Sequence, residues 1–288
     1  MLPDDVLLEI SDFYEGEDVD EDYDELEDFE LAEKQRTEAW IRLAHVCRRW
    51  RSVVFQSSRR LNLRLFCTPR TPVERSLDIW PSLPLIVMGD YKVFGADIAA
   101  ALERNDRVCQ IDLNFYSNLE LEDFRDLAAT SMQKPFPELT HLSFVLFEDD
   151  RSEPVFPDLF LGGTTPRLRS LYLSTIPFPG LTKLLLSATH LVRLVLDDIP
   201  RSGYIRPEVM ATSLSALTGL EFLCLEFRYS RPRPALESRR PPPPPRTRPI
   251  LPRLTKIQFK GTSEYLEEIL ARIDAPRLVG LHITFFND

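Results

Sequence analysis

Apolar residues along the chain fall into one recurring phrase, Leu-x-x-Leu-x-Leu. It stands at Val108-x-x-Ile111-x-Leu113, Leu139-x-x-Leu142-x-Phe144, Leu168-x-x-Leu171-x-Leu173 and Leu191-x-x-Leu194-x-Leu196. It returns at Leu220-x-x-Leu223-x-Leu225, Leu254-x-x-Ile257-x-Phe259 and Leu278-x-x-Leu281-x-Ile283. Apolar residues two apart on a strand point to one face, so each phrase predicts a short strand with a leucine filling the corner before it. Four of the phrases follow a proline at a similar place: Pro137, Pro166, Pro252 and Pro276. Between strands, apolar spacing near 3.6 residues predicts helices over Phe94 to Arg107, Leu119 to Met132, Leu181 to His190, Pro207 to Thr218 and Ser263 to Ile273. Gly162-Gly163 reads as a turn.

Starts of the phrases lie 31, 29, 23, 29, 34 and 24 residues apart, which spans and slightly exceeds the leucine-rich-repeat range. One repeat cannot bury its own apolar face, whereas stacked repeats share a continuous core. The expectation is an α/β fold: an irregular leucine-rich-repeat solenoid over residues 108–288 with a parallel concave sheet. No asparagine stands at the usual turn position after the strands; Tyr116 and Ile199 occupy or neighbour such places. The turns therefore need other partners. Residues between the apolar positions point away from the core, and they include Gln110, Asp112, Ser143, Ser170, Val195, Cys224 and Lys256. From this set His141, Tyr172, Arg193, Phe222, Gln258 and His282 are the candidate substrate-binding residues, because aromatic and Arg side chains dominate binding hot spots. Their charges are mixed, which favours a protein substrate of unknown identity over nucleic acid.

Ahead of the repeats the period changes. Val6, Leu7, Ile10, Phe13 and Tyr14 make one helical stripe, and Leu43, Val46, Cys47, Trp50, Val53 and Val54 a second, flanked by Arg42, Arg48, Arg49 and Arg51. Short helices of this kind bury little area and gain stability by packing on a partner. The strings Leu2-Pro3-Asp4-Asp5-Val6-Leu7-Leu8-Glu9-Ile10 and Val46-Cys47-Arg48-Arg49-Trp50-Arg51 resemble the F-box over residues 1–60, with a strand over Arg60 to Leu63 following. Through Leu77-Asp78-Ile79-Trp80-Pro81 and Asn105-Asp106-Arg107-Val108, most of the chain also resembles the F-box-like proteins of mushroom-forming fungi. That resemblance implies a small all-α module docking on the Skp-type adaptor of a cullin-based ubiquitin ligase, the SCF complex. It implies adaptor-binding roles for Leu2, Pro3, Val6, Leu7, Ile10, Leu43, Val46, Cys47 and Trp50. The chain departs from the F-box pattern at Ser11, where a Phe is usual, and in an acidic insert over residues 15–38. Those departures keep a second reading in view, a repeat scaffold with a degenerate F-box and no ubiquitin role. Residues 61–107 read as a connecting and N-terminal capping region.

Charge sharpens this division. Residues 11–38 hold 14 acidic and two basic side chains, so this one solvated segment outweighs the net charge of −10 and the rest of the chain is slightly basic. Residues 231–252 carry arginines among prolines and read as a polyproline insertion, which explains the longest interval. No run of apolar residues reaches the roughly 18 to 20 needed for a membrane helix, and no secretory signal pattern is visible. Cys47, Cys67, Cys109 and Cys224 lie far apart and read as buried or semi-buried thiols, so a cytoplasmic or nuclear setting is expected. His45, His141, His190 and His282 form no metal-ligand set, and no nucleophile elbow or phosphate loop occurs. Neither metal, cofactor nor enzymatic activity is expected. The last phrase ends close to Asp288 without a closing cap, so a longer natural chain is expected as well.

Overall fold

A computed structural model describes residues 6–9, 41–42, 44–58, 61, 63–68, 77, 82–90, 96–115, 130–146, 156–157, 159–229 and 248–286. Its frame is one parallel sheet of nine strands in strict chain order. The strands are β1 (Leu65–Cys67), β2 (Leu85–Asp90), β3 (Val108–Phe115), β4 (His141–Leu146) and β5 (Ser170–Ser174). They continue as β6 (Arg193–Ile199), β7 (Phe222–Phe227), β8 (Lys256–Gly261) and β9 (Gly280–Phe285). Every crossover leads to the adjacent strand, an α/β arrangement compatible with a solenoid. The second and third apolar positions of all seven phrases lie on β3 to β9 and stay in register: Leu142 pairs with Leu171, Leu171 with Leu194, Leu194 with Leu223, and Leu223 with Ile257.

The corner before each of β4 to β9 is a β-turn, and in four of them a proline explains it. Leu139, Leu168, Leu191, Leu220, Leu254 and Leu278 each donate their N–H to the carbonyl three residues back, at 3.0–3.3 Å. In four of the six turns the second residue is Pro137, Pro166, Pro252 or Pro276, whose fixed φ suits that position. A backbone ladder follows: Arg169 N–H bonds to Thr140 O, Val192 to Arg169 O, Glu221 to Val192 O and Thr255 to Glu221 O, at 2.7–3.0 Å. The repeats are thus laced together where each strand begins.

Helices cover one face. Ala96–Leu102, Leu181–Ser187, Pro207–Leu214 and Ser263–Arg272 are shorter than the apolar periodicity predicts. They contribute Ile98, Leu102, Leu184, Leu185, Met210, Leu214, Leu266 and Ile269 to the same buried core as the strand leucines. Most of the expected helix over Leu119 to Met132 lies outside the described residues, whose part here is a 3-10 turn, Ser131–Gln133. Between β4 and β5 the described connection is another 3-10 turn, Phe160–Gly163, where Leu161, Gly162 and Gly163 all have positive φ. At Gly162 a Cβ would come within 3.0 Å of the Pro135 backbone, so the turn expected at Gly162-Gly163 requires glycine on both counts. Aromatic rings fill this thinner layer: Phe144 meets Phe156 edge-on at 5.5 Å and Phe160 at 6.0 Å.

Several expectations are corrected. The sheet begins earlier than the first phrase, because β1 and β2 join it from within residues 61–107. Of the strand expected at Arg60 to Leu63, Arg60 and Asn62 lie outside the described residues; Leu61 and Leu63 pack with Leu7, Leu8, Ala44, Val53, Val54 and Leu83, and the first described strand is Leu65–Cys67. Gln110, Asp112 and Asn114 point away from the helices yet are buried, so that face is not open at β3. The end of the 231–252 insertion belongs to the repeat framework, since Ile250 bridges to Asp274 and Leu251 is fully buried. The acidic insert, Ser11, Tyr116 and residues 231–247 lie outside the described residues.

Where the missing asparagines would act, the chain uses a salt-bridged clip. β6 bulges at Asp197 and Asp198, with Asp198 at φ 49, and Thr175 one strand earlier is at φ 67. Arg228 donates from Nε and Nη2 to Asp198 Oδ2 at 2.8 and 2.6 Å, and from Nη2 to Thr175 Oγ1 at 3.2 Å. One guanidinium thereby ties three successive strand ends and holds two left-handed residues in place.

Candidate functional site

Alternation along the strands sorts the face opposite the helices into rows. In the first, strand pairing sets His141 beside Ser170, Ser170 beside Arg193, Arg193 beside Phe222 and Phe222 beside Lys256. In the second, Ser143, Tyr172, Val195, Cys224, Gln258 and His282 follow one another across β4 to β9. All six residues expected to meet a substrate lie on these two rows. Their exposure differs: Arg193 and His282 are exposed, while His141, Tyr172, Phe222 and Gln258 are half-buried. Val195 and Cys224 are buried and form a floor between them.

The first row is cationic and aromatic. Arg193 lies over the Phe222 ring at 4.3 Å and Lys256 approaches the same ring at 5.5 Å, so one aromatic ring attracts two cations. A third row, which the phrase does not reach, is acidic on β6 and β7. Asp197 accepts from Ser174 Oγ at 3.1 Å and from Tyr172 Oη at 3.5 Å, and Glu226 accepts from Gln258 Nε2 at 2.7 Å. Carrying the two-residue alternation one step past the last apolar position would have found both acids.

Titration follows from this layout. Burial, then the neighbouring Asp197, raises the Tyr172 phenol, and burial with Glu226 close by pushes the Cys224 thiol up to about 12. Burial also raises the Asp197 carboxyl, with Glu226 and Asp198 adding to it. The raised Cys224 thiol runs against activation as a nucleophile, because a thiol at about 12 stays protonated at neutral pH. Among the described residues no group of three or more His, Cys, Asp or Glu side chains could hold a metal ion. None of the described helices is long and apolar enough to cross a membrane.

His141 gives the site a pH signature. Burial, reinforced by Arg64 and Arg169, lowers its pKa from 6.5 to about 4. The unfolded chain then takes up the proton first, so the stability contributed by neutral His141 is complete above pH 6.5 and is lost as pH falls towards about 4. Denaturant midpoints measured across this window should fall more steeply for the natural chain than for His141→Asn. Equal slopes would mean that His141 is solvated.

The candidate adaptor residues divide differently. Leu2, Pro3, Ile10 and Leu43 lie outside the described residues. Leu7 is buried in the cluster with Val53 and Val54, and Trp50 packs against its edge, so both are turned inward on that cluster. Val6 is half-buried. Val46 and Cys47 do not join the buried stripe: Val46 is 61% exposed and Cys47 is exposed. The cause is a break, since Cys47 is extended (φ −161, ψ 170) and caps a new helix, Arg48–Gln56. The expectation of a buried or semi-buried thiol therefore fails at Cys47 and holds at Cys67, Cys109 and Cys224.

Comparison of the chain with protein-family models gives no match, and a search of curated proteins gives none either.

Proposed function

We propose that the chain is a substrate-recognition subunit of an SCF-type ubiquitin ligase, with an F-box-like module at its N-terminus and leucine-rich repeats behind it. The observation that carries this reading is the string Val46-Cys47-Arg48-Arg49-Trp50-Arg51 at a helix break. Its Trp50 end packs inward while Val46 is left 61% exposed as a free apolar contact. The same reading explains the sheet, whose rows of mixed charge and aromatic side chains offer a binding surface. The mechanism is proximity: the module tethers the chain to the adaptor, and the sheet face holds a protein target near the ubiquitin-charged enzyme. Effective concentration rises without chemistry from this chain.

Replacing Leu2-Pro3 by Ala-Ala should abolish capture of a purified Skp-type adaptor while the thermal midpoint of the repeats is unchanged. Capture at full strength by that variant removes the adaptor role from this segment. The repeat-scaffold reading, without ubiquitin, then takes its place.

A further inference from the structure

The charge rows of the sheet define a ligand more narrowly than a protein target of any kind, and this step rests on the sheet face being the recognition surface. On β6 and β7 the face runs from cationic to acidic along the strand direction. Arg193 and Phe222 stand at the start, Val195 and Cys224 form the floor, and Asp197 and Glu226 stand at the end. Among the described residues, Arg193 and Lys256 enter no ion pair, and neither do Asp197 and Glu226; Glu221 at the rim is already taken by Arg253 at 3.8 Å. Lys260 stands on β8 beside Glu226, so the acidic patch is confined to β6 and β7.

Successive rows are two residues apart, about 7 Å, and the cationic and acidic rows are about 13 Å apart. An extended peptide has the same repeat, with side chains i, i+2 and i+4 on one side. We propose that this face binds an extended protein segment with an acidic residue and a basic residue four positions apart and a small apolar residue midway. The carboxylate lies on Arg193 and Lys256 around Phe222, the apolar side chain rests on Val195 and Cys224, and the cation meets Asp197 and Glu226. A nucleic acid fits poorly, because phosphates continuing past the rim would meet those two carboxylates.

The test is selection of a displayed random dodecamer library on the immobilised full chain, without adaptor, so that its outcome is independent of adaptor capture. The proposal expects enrichment of Asp or Glu four residues from Lys or Arg, in either direction along the peptide, with a small apolar residue between. Enriched peptides should lose about tenfold or more in affinity for Arg193→Glu/Lys256→Glu, and gain fivefold or so from lower salt. Should the reversal unfold the chain, Arg193→Gln/Lys256→Gln is used in its place. Enrichment of uniformly basic or uncharged peptides, affinity indifferent to both variant pairs, or no enrichment at all would overturn it. Binding of a homopolymeric single-stranded oligonucleotide at the same rim would do so as well.

Discussion

Truncating Phe144 to alanine should lower the unfolding free energy by about 3–5 kcal/mol, the cost of emptying a fully enclosed aromatic site. Phe144 is 0% exposed, and its ring contacts Phe115, Phe156 and Phe160. The connection behind it contains a rigid 3-10 turn with three positive-φ residues, Leu161, Gly162 and Gly163, which cannot collapse readily into the void. Urea denaturation of the full chain, followed by intrinsic fluorescence and circular dichroism, measures the loss. A change below about 1 kcal/mol would show that the ring is not enclosed.

A second large effect is expected on the helical side, at Arg272. Its side chain is only 8% exposed and reaches Glu268 at 2.9 Å and Glu208 at 3.9 Å, joining two helices across the longest interval in the repeat series. Removing both carboxylates (Glu208→Ala with Glu268→Ala) takes two acidic partners from a buried cation and should cost about 3–5 kcal/mol. Arg272→Met should be far milder, because the apolar chain fills the volume and no charge is left behind. Comparable losses in the two variants would contradict a desolvated ion pair and point to packing alone.

Phrase positions made the strands legible because an apolar residue at every second place has one solution, a face turned to the core. The corner turns were legible from Pro137, Pro166, Pro252 and Pro276 for the same local reason. β2 was not, since Leu85-Ile86-Val87-Met88 is apolar on both faces and shows no alternation; Ile86 and Met88 pack with Cys109 on the side away from the helices. The Arg228 clip joins residues 30 and 53 positions apart, and no local pattern marks it. At the candidate site, rows one and two could be read from the two-residue period. Asp197 and Glu226 were passed over because the apolar phrase ends before them. The exposure of Cys47 was hidden by a helical period that runs through the break without a proline or glycine to mark it.

Direct titration of the purified full chain with a purified Skp-type adaptor tests the central claim. The account predicts a one-to-one complex with a dissociation constant at or below about the micromolar range, lost in the Leu2-Pro3 double alanine variant. No complex at protein concentrations of roughly 100 μM, with the repeats folded, would contradict it.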